Sequence, residues 1–219
     1  MTPAGPLALG PRPSALSPGP VAAVVPAAGR SERMGRPKLI LPIGGMAVIA
    51  RVVAALRDGG ADPVVVVAPP PETPGGPAVA EEAARLGTRV VVPEGPTADM
   101  RASVELGLDA LAADGGPAAV LLAPGDSPGL APGAVARLIA RFGVDGPEVV
   151  VPTCAGRRGH PVLLRWDVAR RIRLLPSGVG VNALLADGAA AVVEVELGDP
   201  GTLADLDTPE DYRRWTEAT

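Results

Sequence analysis

Four cations and a run of small residues share one short stretch, Pro26 to Lys38, which reads P-A-A-G-R-S-E-R-M-G-R-P-K. Small residues let a backbone approach a ligand closely, and Gly29 and Gly35 tolerate positive φ. Successive backbone N–H groups in such a loop form an anion-binding concavity. Arg30, Arg33, Arg36 and Lys38 add full positive charges to it. Dipoles and cations together suit the phosphates of a nucleoside triphosphate. The spacing is neither the dinucleotide G-x-G-x-x-G nor the Walker G-x-x-x-x-G-K-[ST] pattern. The competing reading is a mobile basic loop on the surface.

Carboxylates recur at two places. Asp126 stands in L-L-A-P-G-D-S-P, just after the apolar run Ala118 to Ala123. There it can hold a metal over phosphates or close an Asx turn on its own backbone; both readings are open. Asp205 and Asp207 stand in D-L-D-T-P-E-D-Y. Thr208 as N-cap, Pro209 at N1 and an acid at N3 account for the start of a last helix. They do not account for two acids on one side of the extended segment before it. A second basic cluster is Arg157-Arg158-Gly159-His160-Pro161. A lone histidine is ordinarily a structural hydrogen-bonder, and this one sits between a basic pair and an apolar run. With one Cys and one His in the chain, an internal disulfide and Cys- or His-cluster metal sites are excluded. A metal here is a hard cation on carboxylates, Mg²⁺-like.

The elements that must position these residues alternate. Apolar runs at Val21 to Val25, Val64 to Ala68, Arg89 to Val92, Ala118 to Ala123, Val149 to Val151, Val162 to Leu164 and Ala191 to Val195 predict strands. Helical patterns cover Met46 to Leu56, Ala78 to Leu86, Asp99 to Ala113 and Ala131 to Phe142, with a last helix from near Thr208. Continuous apolar strands imply burial on both faces, hence a mainly parallel sheet covered by helices. The expected fold is therefore α/β, a Rossmann-like doubly wound sheet with its ligand beyond the carboxyl ends of the strands. Residues 1–20, rich in Pro and Gly, are expected to be a disordered tail and 21–219 one domain. The stretch from about Cys154 to Leu185 is expected to be an insertion on the acceptor side.

Aromatic residues are only 2% of the chain, so the core must be built from Ala, Val and Leu. A net charge of −4 argues against a nucleic-acid-coating surface. No apolar run is long enough to span a bilayer, and the expected location is the cytoplasm.

The motif A-A-G-x(4)-M-G-x-x-K after a first strand resembles the signature of the MobA-like nucleotidyltransferases, most closely the molybdenum cofactor cytidylyltransferase type. The likeness runs from about Val21 to about Trp215. It implies the nucleotide-diphospho-sugar transferase type of doubly wound sheet, and Mg²⁺-dependent transfer of a nucleoside monophosphate from an NTP, CTP favoured, to a small phosphorylated acceptor such as molybdopterin. It implies nucleotide contacts from Ala27, Ala28, Gly29, Arg30, Arg33, Lys38 and Ser103. Ser103 matches the Ser of the family's G-M-x-x-S-L-x-x-G element, in which Asp99 here replaces the usual Gly. Asp126 and Asp207, the latter preferred over Asp205, are the implied metal ligands. Arg33, Lys38 and Asp126 are the implied catalytic set, Arg as a fork and Lys as a point charge on the phosphates. Arg158, Gly159, His160 and Asn182 are the implied acceptor contacts. Relatives often carry G-D-x-G-A near Asn182, and this chain departs from that.

Two alternatives compete. Sugar-1-phosphate and 2-phospholactate nucleotidyltransferases share the first loop and the metal Asp. A non-catalytic nucleotide-binding regulatory module would keep the fold without turnover. Partners are expected to be small molecules, with no nucleic acid and no membrane, in a monomer or weak homo-oligomer.

Overall fold

Runs of valine and small apolar residues form the strands of this chain, and a computed structural model, which describes residues 19–29, 31–186 and 190–217, assembles them into one twisted sheet. The strands are β1 (Val21–Pro26), β4 (Val64–Val67), β5 (Arg89–Val91), β6 (Ala119–Leu122), β7 (Val149–Cys154), β9 (Val162–Arg165) and β10 (Val192–Glu196), with the short β8 (Arg157–Arg158) paired to β7. A separate hairpin is made by β2 (Pro42–Ile43) and β3 (Met46–Ala47). The helices are α1 (Val48–Asp58), α2 (Gly76–Arg85), α3 (Met100–Ala112), α4 (Pro132–Asp145), α5 (Trp166–Ala169) and α6 (Pro209–Glu217).

The sheet order is β10-β7-β9-β6-β1-β4-β5. All pairs on this path are parallel except those of β9, which runs antiparallel to both β6 and β7. Side chains alternate between faces along each strand, and both faces are covered. On one face Val21, Ala23 and Val25 join Val66, Leu121 and Leu163 under α1, α2 and α4. On the other, Ala22 and Val24 join Val65, Val120 and Leu164 under α3 and α5. Burial on both sides is why the strands read as unbroken apolar runs. With so few aromatics, helices approach closely: a Cβ on Gly107 of α3 would lie 2.4 Å from Val24 Cγ1 of β1.

Two expectations are corrected. The helix predicted from Met46 begins at Val48, because Gly44 and Gly45, at φ 57 and 79, turn a tight hairpin that takes Met46 and Ala47 into β3. The stretch from Cys154 to Leu185 is not an insertion: it contributes β9, fully inserted between β6 and β7. Val162, Leu163 and Leu164 are all buried, so the strand belongs to the core of the sheet. The expected N-terminal tail lies outside the described residues up to position 18. Among the described residues no helix is long and apolar enough to cross a membrane.

Candidate active site

A cleft of about 720 Å³ opens at the carboxyl ends of β1 and β6. The loop leaving β1 forms one wall. Ala27 and Ala28 are buried, and the Ala27 N–H donates to the Val67 carbonyl, which fixes the loop to β4. Gly29 faces the cleft, and a Cβ there would meet nothing within 4 Å. Ser31, at φ 53, turns the chain so that its carbonyl accepts from Met34 and Gly35 and its Oγ from the Lys38 N–H. That turn delivers Arg33 and Lys38 to the cleft. Arg36 goes elsewhere: its guanidinium stacks 4.8 Å from the centre of the Tyr212 ring on α6. Arg30 lies outside the described residues.

Opposite stand the carboxylates. Asp126 follows β6, and residues 204–207 run beside it, with the Leu206 N–H donating to the Asp126 carbonyl at 2.8 Å. Leu206 is fully buried, so its neighbours Asp205 and Asp207 both turn toward the cleft. The helix start predicted at Thr208 holds this segment. Thr208 Oγ1 donates to Asp211 Oδ2 at 2.7 Å, and that same oxygen accepts the backbone N–H groups of Thr208 and Asp207. The capping box thereby sets the aim of the Asp207 carboxylate.

The two sides meet at one nitrogen. Lys38 Nζ lies 2.5 Å from Asp126 Oδ2 and 3.0 Å from Asp207 Oδ1, and Arg33 Nη2 lies 2.9 Å from the same Asp207 oxygen. Burial opposes the charge on Lys38, but the Asp126 and then the Asp207 carboxylates outweigh it and hold its pKa above the ordinary value. Asp126 and Asp207 thus aim hard oxygens at a single point where a cation already sits. That donor set suits Mg²⁺ or Mn²⁺ completed by phosphate oxygens. Among the described residues no three His, Cys, Asp or Glu gather into a metal cage of their own.

Asp205 has a different setting. Ser127 Oγ donates to its Oδ1 at 3.0 Å. Burial, then the neighbouring Asp126 charge, pushes its pKa up despite that bond. His160 closes the cleft near Asp205. Burial pushes its pKa down, against the pull of Asp205 and Asp126, so the imidazole is neutral at pH 7. Its backbone N–H donates to the Thr202 carbonyl at 2.8 Å, and Gly159 makes that approach possible: a Cβ there would lie 2.3 Å from Thr202 O.

The third wall is the start of α3. Asp99, at the position where Gly was expected, is the N-cap and accepts from the Ala102 N–H at 2.8 Å. Ser103 is 2% exposed, and its hydroxyl donates to Thr97 Oγ1. Thr97, Asp99 and Ser31 all line the cleft. None of the three stood out in the sequence as a ligand contact, although Thr97 and Asp99 adjoin the helix start that carries Ser103. The remaining expected acceptor residues fall outside this cleft. Asn182 lines a smaller apolar pocket that adjoins it at His160. Arg158, on β8, pairs with Glu194 and donates to the Leu185 carbonyl.

The arrangement is a cleft with cations, convergent carboxylates and a small-residue floor. Its chemistry suits a triphosphate and the neutralisation of charge on it. Comparison with known proteins agrees. The family model described as the MobA-like NTP transferase domain matches residues 23–193. The molybdenum cofactor guanylyltransferase of Rhizobium meliloti (strain 1021) is 30% identical over 207 residues, covering 88% of each chain. Rv0371c of Mycobacterium tuberculosis H37Rv superposes with a TM-score of 0.77 at 29% identity, covering 91% of this chain and 99% of that one, and has also been solved in complex with manganese. A nucleotidyl transferase from Methanothermobacter thermautotroptrophicus superposes with a TM-score of 0.75 at 28% identity, covering 90% and 96%. By its fold, the family model and these relatives, the chain belongs to the MobA-like NTP transferase family and is a nucleotidyltransferase.

Proposed function

We propose that the cleft moves a nucleoside monophosphate from CTP to the phosphate of molybdopterin cofactor, releasing pyrophosphate. The observation that carries this reading is the Lys38 ammonium bridging Asp126 and Asp207 beside Arg33. An acceptor phosphate oxygen attacks the α-phosphorus, the bond between the α-phosphorus and the bridging oxygen breaks, and pyrophosphate leaves with that oxygen. The acceptor phosphate is already ionised near pH 7, so no general base is required. The protein's task is positioning and charge neutralisation.

Arg33 offers a two-pronged fork and Lys38 a point charge to the phosphates. As they turn to the triphosphate, Asp126 and Asp207 are released from their ion pairs. A divalent cation held by those two carboxylates, Mg²⁺ in this proposal, would supply charge neutralisation at the α-phosphate. Ala28 and Gly29 give the nucleotide a floor of no more than a methyl group, and at Gly29 of none. Neutral His160 borders the acceptor end without adding a charge of its own.

CTP is favoured by the chain's likeness to the cytidylyltransferase type. GTP is the competing donor, because the curated relative from Rhizobium meliloti is a guanylyltransferase; that relative also supports a place in molybdenum cofactor biosynthesis. The test is a pyrophosphate-release assay crossing CTP, GTP, UTP and ATP with molybdopterin cofactor, hexose-1-phosphates and 2-phospholactate, with Mg²⁺, Mn²⁺ or EDTA. Release with CTP, molybdopterin and Mg²⁺ is expected. Release only with a sugar phosphate or 2-phospholactate would refute the acceptor, and NTP binding without any turnover would favour a binding module.

A further inference from the structure

Residues 176–185 contain Pro176, Gly178 and Gly180 and form a turn in which the Val179 N–H donates to the Pro176 carbonyl, followed by a short 3-10 turn, Val181–Leu185. Leu184 anchors the segment in the core, with Val181 and Leu185 packed against the same cluster. Two arginines tie its backbone from outside, one from each side. Arg101, on the first turn of α3, is 13% exposed at its side chain; its Nη1 donates to the Pro176 carbonyl at 2.7 Å and the Val179 carbonyl at 3.2 Å. Arg158, on β8, donates from Nη1 to the Leu185 carbonyl at 3.1 Å. Each guanidinium is also paired through Nε at 2.8 Å, Arg101 with Glu105 and Arg158 with Glu194. Charge is thus balanced on both, and their remaining donors are aimed at backbone carbonyls.

Beneath the clamped segment lies a narrow apolar pocket of about 40 Å³. Val181, Asn182 and Leu185 form its roof, and Leu122, Val162 and Leu164 its floor. The pocket and the main cleft share Pro26, Met100, Pro124 and His160, so one opens onto the other. One water needs about 10–15 Å³ of such space, so the pocket takes only a group of a few heavy atoms. Of its lining side chains only Asn182 and His160 can exchange hydrogen bonds, so a densely hydroxylated edge would lose its water with too few partners to replace it.

We propose that Arg101 and Arg158 are positioning residues for the acceptor: they clamp residues 176–185 as the roof of an apolar subsite beside His160, which takes a compact hydrophobic edge of the acceptor next to its phosphate. The inference rests on the nucleotidyl-transfer reading above and narrows it, against densely hydroxylated acceptors such as hexose phosphates. It also ties the acceptor roof to the helix whose first turn lines the nucleotide cleft, because Arg101 lies between Met100 and Ser103.

The test uses the full chain and the variants Arg101→Met and Arg158→Met. Hydrogen exchange by mass spectrometry reads residues 176–185 in the free protein, calorimetry reads CTP and GTP affinity, and steady-state kinetics read molybdopterin. Each variant is expected to speed exchange in that segment and raise the molybdopterin KM by about tenfold or more, the loss of a hydrogen bond to a charged group. NTP affinity is expected to stay within about twofold. Unchanged exchange in both variants would overturn the clamp. Faster exchange with an unchanged acceptor KM would overturn the subsite. Equal weakening of NTP and acceptor with a fall in Tm would reduce both arginines to general stability. If the wild-type protein turns over hexose-1-phosphate but not molybdopterin, the acceptor class inferred from the pocket fails, whereas the clamp still stands or falls on the exchange result.

Discussion

Replacing Lys38 with Met (K38M) removes the cation that Asp126 and Asp207 share. Both carboxylates touch the same nitrogen, so without it two negative charges face each other about 5 Å apart, with only Arg33 on Asp207 left, among the described residues, to offset them. At an effective dielectric near 20 that repulsion is about 3 kcal/mol. Their side chains are 24% and 34% exposed, and solvent screening cuts the figure to about 1–2 kcal/mol. For a domain of this size that lowers Tm by roughly 2–8 °C. Urea unfolding in EDTA should show K38M less stable than wild type by that amount. Saturating Mg²⁺ or Mn²⁺ should restore most of it, and should stabilise the wild-type protein less, because its lysine already occupies the point where the carboxylates converge. In an Asp126→Asn background the cost of K38M should fall by at least half, the mark of a direct interaction. Equal stability in EDTA, or a loss that divalent cations do not restore, would refute the claim that ammonium and metal serve the same two carboxylates.

His160, with its pKa pushed below the usual 6.5 by burial, binds its proton less readily folded than unfolded. Stability should therefore rise with pH through the window just below 6.5 and level off above it. His160→Gln should flatten that slope in urea unfolding between pH 5 and 7.5, and an identical slope in the variant would contradict the buried neutral ring. Gly159→Ala would place a Cβ against the Thr202 carbonyl. Backbone rather than a flexible side chain is in the way, so unfolding should shift by about 1–3 kcal/mol; an unchanged Tm would show that residues 159 and 202 are not in close contact.

Much of the fold was legible because valine runs bury both faces, and that pattern marks parallel strands in covered sheets. The same symmetry hides direction. Val162 to Leu164 reads as a strand, but nothing in three buried apolar residues says that it enters the sheet antiparallel between β6 and β7. The hairpin at Pro42 to Ala47 was written in its Gly44-Gly45 pair and was hidden by the helical pattern that starts at the next residue, Met46. At the site, the types of Lys38, Asp126 and Asp207 pointed to phosphate and metal chemistry. Their convergence depends on Leu206 crossing beside Asp126, a contact between segments far apart in the chain. The basic clusters misled in a simple way. Arg33 and Lys38 enter the cleft, Arg36 stacks on Tyr212, and Arg158 braces a loop. Sequence clustering cannot separate a cation aimed at a ligand from one aimed at an aromatic ring or a carbonyl.

The central claim is that Asp126, facing Lys38 across the cleft, is part of the machinery for nucleotidyl transfer. The most direct measurement is pyrophosphate release by Asp126→Ala against wild type, with CTP or GTP and molybdopterin in Mg²⁺, alongside circular dichroism and Tm to establish that the variant is folded. Loss of at least about 10²–10³-fold in turnover with the fold intact is the expected result, the usual effect of removing one element of charge stabilisation at a reacting centre. A folded variant that keeps most of its Mg²⁺-dependent activity would contradict the account.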